Sequence, residues 1–144
     1  MEKRLFYVAC FITPLAVRII PELRTSYPIG WDTPSYMYLA KVYSQRFSPW
    51  HPFYQILGLV YLTGVDMMVF MKVYPTLLYA FLILVFSVYV HKRLEWEPFN
   101  TLVACFLLSF SPVMLRMSWD LHRQNFALLV FFASLFFIDP GKGR

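Results

Sequence analysis

Two short stretches hold the residues able to do chemistry. The first, residues 27–52, reads YPIGWDTPSYMYLAKVYSQRFSPWHP and sets Asp32, an acid without a cationic neighbour, just ahead of Thr33-Pro34. The second, RMSWDLHR from Arg116 to Arg123, places Asp120 between two arginines. A carboxylate can act as a general base if it reaches an acceptor proton directly or through one water. A guanidinium offers a planar fork of donors that suits phosphate oxygens. Each residue also has a plainer reading. Asp32 could simply cap a helix, and Asp120 with Arg116 and Arg123 could be a local ion pair of little energetic weight. Lys72 reads equally as a snorkelling anchor or a phosphate ligand. His51 and His122 read as interfacial hydrogen-bonders, since no second His or Cys stands at metal-ligand spacing. GxGxxG, Walker A, HExxH and GxSxG patterns are all absent.

The composition defines what must position these residues. Of 144 residues, 59% are hydrophobic, 20% aromatic and 15% charged, outside ordinary soluble usage. Long uncharged runs need lipid as their solvent, so one all-α membrane domain over residues 1–144 is expected, lying in the cell membrane. The net charge of +5 comes from scattered basic residues rather than a patch, which excludes a nucleic-acid surface. Cys10 and Cys105 fall inside apolar runs and read as small buried hydrophobes.

In chain order, 5–20 reads as a first span whose Arg18 snorkels to the interface and which Pro21 closes. An outer loop over 21–72 follows. Thr33-Pro34 reads as an N-cap with proline at the first helical position. Tyr36, Leu39, Ala40, Tyr43 and Phe47 recur at helical spacing and predict an amphipathic interfacial helix over 34–47. A second interfacial helix is expected over 53–65, thirteen uncharged residues and too short to span. Further spans are expected at 73–90, 99–115 and 124–138, with 116–123 as a tight polar loop. Four crossings put Lys92, Arg93, Lys142 and Arg144 with Lys3 and Arg4 on the cytoplasmic side, as the positive-inside rule asks. Both termini are then cytoplasmic, and Asp32 and Asp120 share the outer face.

In this order the pieces resemble the N-terminal part of the GT-C membrane glycosyltransferases, the protein mannosyltransferase-like branch in particular. GWDTPSYMYLAKVYSQRFSPWHPF is similar to that family's first outer loop, an acid followed by a tyrosine-bearing helix. PFYQILGLVYLTGVDMMVFMKVYPTLL resembles the stretch in which an apolar helix ends in Gly and a basic residue precedes the next span. FSPVMLRMSWDLHRQNFALL resembles the second outer loop. The resemblance implies inverting transfer of a sugar from a polyprenyl-phosphate donor on the extracytoplasmic face. It implies that Asp32 activates the acceptor, and that Lys72, Arg116, Asp120, Arg123, Tyr36 and His51 face the substrates. The chain departs from the family in lacking a D-x-D pair, so neither a metal nor another cofactor is expected, and in carrying Lys72 where many relatives have arginine. Family members also have many more spans. A fragment, a split subunit beside a larger membrane glycosyltransferase and an inactive remnant are therefore all open. The alternative reading is a non-enzymatic membrane subunit packing with a larger partner.

Overall fold

The computed structural model describes residues 3–138, and in these it is all-helical. The seven helices are α1 (Lys3–Leu23), α2 (Thr33–Gln45), α3 (Pro52–Leu62), α4 (Met67–Arg93), α5 (Pro98–Phe110), α6 (Pro112–Asp120) and α7 (His122–Ser134). Two of them are long and apolar enough to cross a membrane: α1 over Arg4–Leu23, and α4. The α5–α6 pair would make a third if its 58° bend lies within one span. With 13 residues, α7 is roughly 20 Å long at 1.5 Å per residue, short of a hydrocarbon core of about 30 Å. The four unbroken spans expected from hydropathy thus become two unbroken helices, one broken pair and one short helix.

Proline explains where those expectations fail. Pro21 does not close α1 but lies inside it, as does Pro14. A proline has no N–H and leaves the carbonyl four residues earlier without its helical donor. For Pro14 that carbonyl is Cys10, and the Cys105 thiol of α5 donates to it at 3.6 Å. Pro112 acts the same way on Leu108. There the Tyr79 hydroxyl of α4 donates to the Leu108 and Ser109 carbonyls at 2.9 and 3.2 Å. Ser111, held extended before the proline, makes the bend (φ −61°, ψ 123°). The expected span over 99–115 is therefore split. The expected polar loop over 116–123 is helical on both sides of Leu121.

Asp66 starts α4, accepting the Met68 N–H at 2.8 Å, and the helix ends on His91, Lys92 and Arg93. These basic residues suit the negative end of the helix dipole.

Ring contacts give the helix directions. Phe6 meets His91 and Phe11 meets Phe81, so α1 runs against α4. The α5 end near Leu108 meets Tyr79, so α5 runs with α1. Phe86 meets Phe132 and Tyr89 meets Phe136, so α7 runs with α4. At one end lie Tyr7 with Lys92 over its ring, and Arg93 donating to the Phe136 carbonyl at 2.7 Å. The basic tail residues Lys142 and Arg144 lie outside the described residues. At the other end the α2–α3 hairpin closes over the bundle. Its buried Tyr36, Ala40, Phe53 and Leu57 pack on Met67 and Met71 of α4, with Phe126 of α7 alongside. Tyr36 and Ala40 are two of the five residues in the predicted stripe; Phe47 lies beyond the end of α2 and is 77% exposed. Gly58 permits the hairpin's closeness, because a Cβ there would stand 2.6 Å from the Tyr43 carbonyl carbon.

Candidate functional site

The two acid-bearing stretches meet at the hairpin end of the bundle. Asp120, nearly buried at the C-terminus of α6, accepts the Trp31 N–H at 2.7 Å on one carboxylate oxygen. Its other oxygen pairs with the Arg116 guanidinium one turn earlier, a side chain that is itself largely exposed. Gly30 makes this junction possible. Its φ of +131° suits glycine, and any Cβ would lie 2.1 Å from the Trp119 carbonyl oxygen.

Asp32 follows at once. It occupies the N-cap of α2, one residue earlier than the expected Thr33 cap, yet makes no side-chain capping bond and is exposed. Thr33 is instead the first helical residue and is buried, its hydroxyl directed at the Ile29 carbonyl at 3.4 Å. Asp120 therefore holds the backbone beside Asp32, while the Asp32 carboxylate points outward at the positive end of a helix dipole.

Tyr36 links this acid to α7. Its ring lies 4.8 Å from that of His122. Burial is the main cause raising its phenol above the usual range; the neighbouring Asp32 adds to the rise and the Arg123 backbone opposes it. Arg123 is exposed and lies over the Tyr54 ring at 6.0 Å. His51 pairs with Ser48 Oγ at 3.0 Å and stacks on Tyr54. Lys72 reaches under the same end, where its ammonium donates to the Glu22 carbonyl at 3.2 Å and to that of Thr25. The seven residues that the resemblance assigns to the site thus gather at one end. They differ in what is left free: Lys72 is largely engaged by backbone, both Asp120 oxygens are occupied, and Asp32 and Arg123 face outward.

Beneath this surface lies a polar cluster the sequence reading did not find. Arg18 does not snorkel. It is fully buried, and its guanidinium pairs with Glu22, also fully buried. Both oxygens of Glu22 accept the Ile29 N–H, at 3.0 and 3.2 Å, so this pair anchors the loop leading to Gly30 and Asp32. Arg18 lies 5.5 Å from the Trp119 ring. Asn125 donates to the Met117 carbonyl at 3.0 Å and ties α7 to α6. Several buried atoms here find no partner among the described residues: Arg18 Nε and Nη2, Trp119 Nε1, both His122 nitrogens and Asn125 Oδ1. Buried polar groups left so are uncommon and ask for a reason. One signal could have found the pair, the i, i+4 spacing of Arg18 and Glu22; reading Pro21 as a stop hid it.

No group of three or more His, Cys, Asp or Glu side chains suited to a metal ion occurs among the described residues. Comparison with known proteins gave no matching family model, no matching curated protein and no matching solved structure.

Proposed function

We propose that this chain is a membrane-embedded, GT-C-like glycosyltransferase portion in which Asp32 serves the acceptor side of sugar transfer from a polyprenyl-phosphate donor. The observation that carries this reading is the division of labour between the two acids. Asp120 fixes the Trp31 backbone with both of its oxygens occupied, and Asp32 next to it is exposed and caps nothing. In the reaction, Asp32 takes the acceptor proton as the acceptor oxygen forms a bond to the sugar's anomeric carbon. The bond from that carbon to the phosphate breaks, and the polyprenyl phosphate leaves with the electron pair, inverting the centre. Arg123 and the free edge of Arg116 are the cations placed to meet phosphate charge. Multi-pass insertion with both ends cytoplasmic agrees with Arg4 and the His91-Lys92-Arg93 cluster lying at the end of the bundle away from the acids.

The test is transfer from a polyprenyl-phosphate-linked sugar in membranes containing the chain. Asp32→Asn should lower transfer by about 10²–10⁴-fold, the usual weight of general acid–base catalysis, with membrane insertion unchanged. Unchanged transfer removes Asp32 from the mechanism. A second reading, a non-enzymatic subunit, draws on the exposed Phe99, Phe106, Leu107 and Phe110 of α5, a face a larger membrane partner could cover. Stable co-purification with such a partner, without transfer by the chain alone, would favour it.

A further inference from the structure

We propose that the groove between α3 and α7 binds an anionic membrane phospholipid, its phosphate on Arg123 and one acyl chain along α7. The groove holds about 420 Å³ and is walled by Trp50, Pro52 and Phe53 on one side and Phe126, Val130 and Phe131 on the other. Its lining carries one guanidinium and no carboxylate. Arg123 has no ion-pair partner among the described residues. Its charge is thus uncompensated at a site where an anion would find an exposed, aromatic-backed donor.

The polarity of the groove runs in the direction a lipid requires. Arg123, Phe126, Ala127, Val130 and Phe131 stand at i, i+3, i+4, i+7 and i+8, one face of a helix. The trough beyond the cation is therefore roughly 12 Å long at 1.5 Å per residue. Because α7 runs alongside α4 in the same direction, the path from Arg123 to Phe131 leads from the hairpin end inward along a membrane-crossing helix. Val130 and Phe131 are each about half exposed, at 51% and 54%, and are open to a chain lying on them. Inorganic phosphate would use the cation and waste the trough. A second copy of the chain would have to bring a carboxylate to Arg123 from an otherwise apolar face. A phospholipid supplies both chemistries. The inference shares Arg123 with the transfer reading, where that guanidinium meets the donor phosphate, but not Asp32, and the lipid probes below separate the two.

Native mass spectrometry of the purified full chain in detergent tests it, with phosphatidylglycerol, phosphatidylcholine, inorganic phosphate and a polyprenyl phosphate as probes. One phosphatidylglycerol should be retained, at about tenfold or greater preference over phosphatidylcholine, whose choline cation offsets the charge of the same phosphate. Arg123→Ala should erase that preference, and Ala127→Trp, at an exposed position, should fill the trough and expel the lipid. Lys41→Ala, an exposed cation outside the groove lining, should change nothing. Equal retention of the two phospholipids, retention by Arg123→Ala as by the parent chain, or displacement by inorganic phosphate would each overturn the proposal. Displacement by polyprenyl phosphate at equal concentration would also overturn it, assigning the groove to the donor and leaving the transfer reading intact.

Discussion

Asp120 and Asp32 show how little residue type alone says about role. Both are loop-adjacent acids in the sequence, yet one is almost buried with two partners and the other is exposed with none at its cap. The difference lies in long-range backbone contacts, such as Trp31 to Asp120, which no local pattern encodes. His122 makes the same point. Its position in a charged octapeptide suggests a wet interface, but its ring is fully buried against Tyr36. Burial, with the Arg18 charge second and Asp120 opposing, holds its imidazole down to about 4 from an ordinary 6.5. Between those values the unfolded chain binds a proton that the folded chain refuses. Stability is therefore full above pH 6.5 and falls as the pH drops towards 4, then levels off, by on the order of 3 kcal/mol at most. Chemical unfolding of the detergent-solubilised protein at pH 7, 5 and 4 should show the parent losing its advantage over His122→Asn as pH falls. A constant difference across that range would mean His122 carries no proton linkage.

At the scale of elements, the sequence was most legible where hydrophobicity is long and uninterrupted. The 73–90 run is contained in α4, and the 5–20 run in α1. The helix over 34–47 exists as α2 because Tyr36 and Ala40 do face a core. Hydropathy cannot see a break made by backbone chemistry, however, and Pro112 divides an uncharged run without changing its average. Charge misled in the opposite sense. Arg116 and Asp120 stand in a charged stretch that reads as loop, but at i, i+4 they pair along a helix and support it. The bend between α5 and α6 relies on Tyr79, whose hydroxyl serves the Leu108 carbonyl, shared with the Ser111 N–H, and the Ser109 carbonyl, which the bend leaves open. Tyr79→Phe keeps the packing and removes only that donor, so it should cost about 1–3 kcal/mol, the range for a buried acceptor left unsatisfied. Thermal unfolding checks this; an unchanged midpoint would mean the bend is held by packing alone.

For the whole molecule, the decisive property is polarity from end to end. The Arg18–Glu22 pair, the Lys72 contacts and the Trp31–Asp120 bond tie α1, α4 and α6 together at one end. A buried pair of this kind is costly to break, at about 3–5 kcal/mol when one partner is removed, so the acid-bearing loops form a rigid cap rather than two independent segments. The opposite end holds the basic cluster. If the bundle crosses the membrane as proposed, Glu22, Asp32 and Asp120 lie on one side and that cluster on the other. Single cysteines at Ser35 and Glu95, both exposed positions, can report this against the buried native Cys10 and Cys105. In intact cells, a membrane-impermeant maleimide should label Ser35→Cys and spare Glu95→Cys until the membrane is opened. Labelling of Ser35→Cys and Glu95→Cys together, or of Glu95→Cys alone, would contradict the account.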